Sequence, residues 1–418
     1  MKKQVYHVLG IMSGTSLDGI DIAEIYFEIK NDTWSFTLGK CATIPYDEKW
    51  VTRLKNAISF TPEELDSLNN EYTLLLGSII NEFITSHDIQ NLDAVCSHGH
   101  TILHQPQNGF TLQIGNLPSV AQYCNQNVVC NFRVQDVELG GQGAPLVPIG
   151  DKILFSEYDF CLNLGGFSNI SLEFENKRIA FDISPVNTVL NFYANQLGFN
   201  FDNQGAISRD GVVNLDLLNK LNALEYYKTQ FPKSLGFEFV KAIVLPLIEF
   251  HSISTEDKMR TFTEHIAYQA WQALTNFNLL NKKMLITGGG AYNTFLIERL
   301  QHYVPELTIV IPDAKTLEYK EALIFGLLGV LKLRNEINLF ENTYRMGSLV
   351  FGGGQEFGLR TNERYYGVAQ MKLSAAKDVL LKHPEIKTKY LQTNTDEEIV
   401  ANLILNNEFA IRLASKYY

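Results

Sequence analysis

Three glycine-rich turns and one strand-end carboxylate carry the residues of this chain that could do chemistry. Gly14-Thr15-Ser16-Leu17-Asp18-Gly19-Ile20-Asp21 joins two apolar runs. Its glycines let backbone amides converge and its hydroxyls add hydrogen bonds, so the turn can cradle a phosphate. Asp18 and Asp21 would repel phosphate directly, and they make sense if Mg²⁺ bridges through water. The same residues also build a tight hairpin with no ligand. Gly165-Gly166-Phe167-Ser168-Asn169 offers equivalent amides in the second half of the chain. Two such turns facing one another could hold a polyphosphate between them, as nucleotide-dependent kinases do.

Met284–Thr287 followed by Gly288-Gly289-Gly290-Ala291-Tyr292-Asn293 reads as a buried strand, a glycine turn and a helix opening near Asn293 and Thr294. Helix N-termini attract anions, and a close backbone approach at the glycines would let a base or ribose lie against the main chain. A ligand-free strand-to-helix turn explains the segment equally well, and the spacing matches neither the Walker nor the dinucleotide pattern. Asp182 ends an apolar strand before Ile183-Ser184-Pro185-Val186-Asn187. It is placed either as a general base or as the cap of a helix starting near Asn187, and taken alone the cap is the stronger reading. His98, His100 and His104 have spacings that lack the acidic partner of a metalloprotease site, so they read as polar residues and not as metal ligands.

Strand-like runs at Val5–Met12 and Ile20–Phe27 flank the first glycine turn. Tyr158–Leu164 and Ile170–Phe174 flank the second, with a third strand at Arg178–Ile183. After each hairpin a helical pattern precedes a short β-like run: Pro62–Ser86 then Ala94–His98, and Phe262–Leu280 then Met284–Thr287. Two related α/β domains follow, 1–150 and 151–338, with a mostly helical tail over 339–418. In the tail, Phe351-Gly352-Gly353-Gly354 reads as a loop, Val368–Lys382 as a helix, and Thr395 with Glu398 as the capping box of a last helix.

Composition narrows the classes. A length of 418 residues with 45% hydrophobic and 19% charged residues describes a globular chain with at least one large core. The net charge of −11 disfavours nucleic acid and anionic membranes as partners. Five cysteines without a CxxC pair argue against a disulfide framework and fit the cytoplasm. The apolar run at Val5–Met12 reads as a strand, not a signal peptide, and the longest apolar stretch, Ala322–Leu331, is too short to span a bilayer.

In order along the chain, these segments resemble the anhydro-N-acetylmuramic acid kinases of the sugar kinase, Hsp70 and actin superfamily. The resemblance runs from about residue 6 to 338. It is carried by the stretch from Gly10 to Asp21, Ser97-His98-Gly99-His100-Thr101, Phe132-Arg133, Asp136, Gly140-Gly141-Gln142-Gly143-Ala144-Pro145-Leu146-Val147-Pro148, Asn163 to Ile170, Pro232-Lys233-Ser234-Leu235-Gly236, Gly288 to Asn293 and Glu321-Ala322-Leu323.

The resemblance implies two actin-like, ribonuclease H-like α/β domains flanking an interdomain cleft, with a homodimer as the family expectation. ATP phosphates would lie near Gly14, Thr15, Ser16, Leu17, Asp18, Gly19 and Asp21 and near Gly165, Gly166, Ser168 and Asn169. The nucleoside would lie near Gly288, Gly289, Gly290 and Asn293. Asp182 would take a proton from a water attacking the anomeric carbon of 1,6-anhydro-N-acetylmuramic acid, and O6 would receive the γ-phosphate in cell-wall recycling. Sugar contacts would fall on His98, Gly99, His100, Thr101, Arg133, Gly141, Gln142, Gly143, Ala144 and Asn187, with Arg133 suited to the lactyl carboxylate.

This chain departs from the family's usual pattern in having Ile183-Ser184-Pro185-Val186 after the aspartate, where two glycines are common, and His100 where glutamine is usual. Added side chains there could narrow the sugar site. A kinase for another amino or anhydro sugar, or a catalytically silent nucleotide-binding regulator, therefore stands as the alternative.

Overall fold

A computed structural model describes residues 3–14, 16–105, 110–138, 143–231, 233–336 and 338–340, with the short strands Leu349–Val350, Tyr365–Tyr366 and Met371–Lys372. Of the expected site residues, Thr15, Gly141 and Gln142 lie outside the described residues. So do most of the tail, the 351–354 loop and the helix after Thr395.

Contacts group the chain into two units. Among the described residues up to 340, one holds those up to Ile149 together with those from Glu321, and the other is Gly150–Lys320. Residues 321–338, expected to close the second domain, pack instead with the first. Residues 321–333 belong to the Ala314–Leu333 helix, whose apolar stretch Ala322–Leu331 is buried throughout.

In the first unit, β1 (Val5–Ser13), β2 (Gly19–Lys30) and β3 (Thr33–Pro45) form an antiparallel meander. β4 (Ala94–Gln105) then pairs parallel to β1, and β5 (Phe110–Ile114) and β6 (Val128–Val129) pair with β4. β3 and β5 were not anticipated. β3 is an edge strand with no fully buried residue, and its alternating Trp34, Phe36 and Leu38, all half-buried, were the available signal. The Pro62–Ser86 helix has the expected bounds because Thr61 and Glu64 close a capping box around Pro62. Its Leu68, Tyr72, Leu76, Ile80 and Phe83 pack on Leu9, Ile11, Ile20 and Ile22 of the sheet.

The second unit repeats the order. β7 (Phe160–Leu164), β8 (Phe167–Phe174) and β9 (Lys177–Pro185) form the meander, and β10 (Lys283–Thr287) and β11 (Thr308–Val310) extend it in parallel beyond β7. The helix expected at Phe262–Leu280 runs from Thr255 to Leu274. Ser254 caps it, and its polar first turns hide the start from an apolar period. A three-stranded meander joined to parallel strands, present twice, is the ribonuclease H-like arrangement of actin-like proteins.

In the tail, Met371–Lys372 pairs antiparallel with Tyr365–Tyr366, so the helix expected over Val368–Lys382 does not include those two residues. The aromatic pair favours a strand, a preference that a helical period does not register. Among the described residues no helix is long and apolar enough to cross a membrane.

Candidate functional site

Asp182 is held near the end of β9 in the second unit. β9 delivers it beside the segment 233–235: its N–H donates to the Lys233 carbonyl at 3.1 Å, and its Oδ2 accepts from the Leu235 N–H at 2.8 Å. Its own carbonyl accepts from the Tyr226 hydroxyl at 2.7 Å. Among the described residues Oδ1 has no protein partner, so one oxygen is anchored and the other is open. Desolvation raises the pKa of Asp182 to about 6, against which the Leu235 hydrogen bond works. It caps nothing. The Asn187–Gln196 helix starts after Val186 with no side-chain cap, which removes the alternative role read from sequence.

The four residues after Asp182 answer the question their substitution raised. Ile183, Ser184, Pro185 and Val186 are all buried, and Ile183 and Val186 join the core of the unit. The added side chains therefore enlarge the core instead of intruding beside Asp182.

The second glycine hairpin is tied to the helix that follows. The Gly166 carbonyl accepts from the N–H groups of Val186 and Thr188 at 2.8 and 3.2 Å, and from the Thr188 hydroxyl at 2.8 Å. The Gly165 carbonyl accepts from the Asn187 N–H at 3.3 Å. Gly166 and Asn169 are exposed, whereas Ser168 is 1% exposed and donates its hydroxyl to the Ser184 carbonyl at 3.1 Å. Ser168, expected on phosphate, thus spends its hydroxyl inside the strand pair.

The third turn packs on the end of β7. Gly288 has φ +83°, and a Cβ there would stand 2.6 Å from Asn163 Oδ1 and 2.8 Å from the Leu164 backbone. A Cβ on Gly289 would meet only Asn187 Nδ2 at 3.7 Å, so that position faces open space. Asn293 caps the Thr294–Tyr303 helix through its Oδ1, which accepts from the Leu296 N–H at 2.9 Å. Gly289, Ala291, Tyr292 and Asn293 line a cavity of about 720 Å³ with Phe201, Gln204 and Leu190. Asn187, expected on the sugar, lines this same cavity. Apolar walls with a few polar groups suit a flat heterocycle. Phe201, Gln204 and Tyr292 were missed by sequence reasoning. The run Phe201-Asp202-Asn203-Gln204-Gly205 was the available signal, since Asp202 folds it back by accepting from the N–H groups of Ile207 and Ser208.

In the first unit, the hairpin after β1 closes with the Leu17 N–H donating to the Gly14 carbonyl at 3.3 Å. Asp18 is exposed and accepts from the Ser16 hydroxyl at 2.7 Å, while Asp21 accepts from the Thr43 hydroxyl at 2.6 Å. Gly19 is buried against the Ile44 carbonyl.

The β4 histidines are neutral. The register of β4 slips against β1 next to Gly99, whose φ of +75° and close approach to the Ile114 carbonyl admit no side chain. His98 is 3% exposed, and its Nε2 accepts from Arg133 Nε and Nη2 at 3.3 and 3.2 Å. Its Nδ1 therefore carries the proton and donates to the Gly99 carbonyl at 2.9 Å. Burial first, then Arg133, pushes His98 down to about 3. Arg133 also donates to the Gly143 carbonyl at 2.6 Å, which fixes the guanidinium. His100 pairs through Nδ1 with the Ser13 hydroxyl at 2.8 Å, and burial pushes it to about 4. Thr101 accepts from Gln113 at 3.3 Å. His98, Gly99, Arg133 and Gly143 are thus brought together, with Ala144 following Gly143 and half-buried.

Comparison with known proteins places these features in a family. The family model described as anhydro-N-acetylmuramic acid kinase matches residues 6–343. The anhydro-N-acetylmuramic acid kinase of Pseudomonas syringae pv. syringae is 33% identical over 316 residues, covering 73% of this chain and 85% of that protein. The one from Bacillus cereus is 32% identical over 374 residues, covering 83% and 98%. The one from Aliivibrio fischeri is 35% identical over 321 residues, covering 72% and 85%. With a family model spanning most of its length and relatives above 30% identity across nearly three quarters of it, the chain belongs to the anhydro-N-acetylmuramic acid kinase family.

Proposed function

We propose that the protein is an ATP-dependent kinase that opens the 1,6-anhydro ring of anhydro-N-acetylmuramic acid with water and phosphorylates O6, yielding N-acetylmuramic acid 6-phosphate and ADP for cell-wall recycling. The observation that carries this is Asp182, with one oxygen anchored by Leu235, the other open, and a pKa of about 6. At pH 7 most of such a carboxylate is ionised, and its basicity is well above that of an ordinary aspartate. A base so positioned contributes roughly 10² to 10⁴ in rate.

The reaction runs in two steps. Asp182 Oδ1 accepts a proton from water as the water oxygen bonds to the anomeric carbon, and the bond from that carbon to the bridging oxygen breaks. The freed O6 attacks the γ-phosphorus, and ADP leaves with the bonding pair. The exposed Gly166 and Asn169, and the turn from Gly14 to Gly19, would meet the phosphates, and the 720 Å³ cavity would take the nucleoside. Arg133, held by His98 and the Gly143 carbonyl, would take the lactyl carboxylate. Mg²⁺, when bound, would neutralise charge on the phosphates. Asp18 and Asp21 are the residues that would hold it, through water.

Cytoplasmic residence is supported by five free cysteines, three of them buried. A homodimer is the family expectation, which sedimentation velocity tests. For the reaction, ADP release must depend on the anhydro-sugar, and in ¹⁸O-labelled water the label must enter the anomeric hydroxyl. Turnover of ATP at the same rate without sugar would refute the reading.

A further inference from the structure

We propose that the cavity beside Gly289 holds its nucleobase by stacking and by amide groups that can turn over, so that GTP serves as phosphoryl donor about as well as ATP. The inference rests on the reading of this cavity as the nucleoside site.

Most polar side chains of the cavity wall are committed to holding the wall itself. Asp202 accepts from the N–H groups of Ile207 and Ser208 and from the Ser208 hydroxyl. Asn293 Oδ1 accepts from the Leu296 N–H, and the Tyr292 hydroxyl donates to Glu318 at 2.7 Å. The Thr294 hydroxyl donates to the Gln204 carbonyl at 3.1 Å. Asn187 Nδ2 donates to the Leu164 carbonyl at 3.3 Å, and its backbone N–H meets Gly165 in the second glycine hairpin. Asn187 thus belongs to the phosphate end, where every ribonucleotide is alike.

Three side chains remain. Asn191, Asn203 and Gln204 line the cavity with no side-chain partner among the described residues. The backbone beneath two of them is held: Gln204 has φ +55°, and Gly205 packs against Asn293 and Phe295 too closely for a Cβ. A non-glycine residue keeps such a backbone only where its surroundings fix it. The amide tips stay free to rotate. A carboxamide carries a donor and an acceptor at one end, and half a turn about its last bond exchanges them. Adenine shows an amino donor and a ring-nitrogen acceptor on its pairing edge, whereas guanine shows a carbonyl acceptor and a ring N–H donor in the same places. A rotatable amide matches either. Phe201 and Tyr292, both exposed, add ring faces, and stacking tolerates any base. A cavity of about 720 Å³ has room for the extra amino group of guanine. With GTP the transfer keeps its form: sugar O6 bonds to the γ-phosphorus, and GDP leaves with the bonding pair.

The test is calorimetric titration of the full chain with ADP and with GDP in the presence of Mg²⁺, followed by kinetics with ATP and with GTP. The two Kd values, and the two kcat/KM values with the anhydro-sugar, are expected to agree within about tenfold, whereas a site that hydrogen-bonds one base through fixed groups rejects the other by about 10⁴ or more. GDP binding weaker than ADP by more than tenfold overturns the inference and leaves the kinase reading standing. Equal binding without phosphorylation of the anhydro-sugar by either donor overturns the kinase reading and leaves the base tolerance standing. Binding of neither overturns both. Asn203→Ala/Gln204→Ala is expected to weaken ADP and GDP by the same factor, about 2- to 10-fold. No weakening, or a loss confined to one nucleotide, overturns the role of the amides.

Discussion

Asp182 lies directly opposite Asn169 in the β8–β9 pair, at the point where the register slips by one residue. Directly paired residues share a face of the sheet. The carboxylate therefore stands on the same face as the exposed Asn169 at the second glycine hairpin, and the extra residue of the bulge, Ile183, is buried in the core. A bulge beside a reacting group is a means of re-aiming a side chain. Here it separates the carboxylate that faces outward from the apolar residue that follows it.

Removing the charge separates function from stability. Asp182→Asn should lose essentially all sugar-dependent turnover while still binding ATP. In the wild type, kcat/KM should fall about tenfold per pH unit below about 6 and level off above it, because the base works only when ionised. The folded-state pKa is raised, so the stability linked to this group is fully present at low pH and is lost as pH rises through about 6. Asp182→Asn should accordingly be more stable than wild type at pH 8, by up to about 3 kcal/mol, with the gain vanishing near pH 4. Thermal melts at the two pH values check the sign.

The Leu235 N–H is the one hydrogen bond that opposes desolvation at Asp182. Leu235→Pro deletes that donor without changing any side chain that faces the carboxylate. The pH midpoint of kcat/KM should move to higher pH, and kcat at pH 7 should drop by roughly tenfold, the cost of one hydrogen bond to a charged group. An unmoved midpoint would show that Leu235 does not touch the working carboxylate.

Strand and turn chemistry makes much of this legible in the sequence. The two hairpins, the Pro62–Ser86 helix and the strand ending at Asp182 follow from local signals: Gly-rich turns between apolar runs and a capping box at Thr61–Glu64. What stayed hidden depends on distant pairing. β3 is an edge strand, half-buried along Trp34, Phe36 and Leu38 and held by β2, and the cavity joins Phe201, Asn187 and Tyr292 across about 100 residues. The tautomer of His98 is set by Arg133, which is on another element. The role of Asp182 was ambiguous locally because a strand-end aspartate and a helix cap look alike until the helix is seen to start without it.

The glycine turn after β10 offers a paired test of packing against binding. Gly288→Ala forces a Cβ into the Leu164 backbone at a φ of +83°, and should cost about 2–4 kcal/mol or abolish soluble expression. Gly289→Ala meets only Asn187 Nδ2 at 3.7 Å, so its melting temperature should stay close to wild type while its methyl group enters the cavity and raises KM for ATP. Equal loss of stability in both variants would argue that the turn is structural throughout.

A buried ion network lies where the chain enters and leaves the second unit. Asp151 and Lys320 are 3% and 5% exposed, and Asp151 Oδ1 lies 2.7 Å from Lys320 Nζ. Asp151 also accepts from the Ser171 hydroxyl, and that hydroxyl accepts from Arg178 Nη2 at 2.8 Å. Removing the carboxylate strands two cations in the core, so Asp151→Ala should cost about 3–5 kcal/mol. Lys320→Met should cost less, since Ser171 and Arg178 still serve the carboxylate and the methionine fills the space of the lysine stem. In the double variant Asp151→Ala/Lys320→Met one of the stranded charges is gone, and the total loss should fall short of the sum of the singles by at least about 1 kcal/mol. Urea denaturation of the four proteins closes the cycle, and additivity within error would show that the pair contributes no coupling.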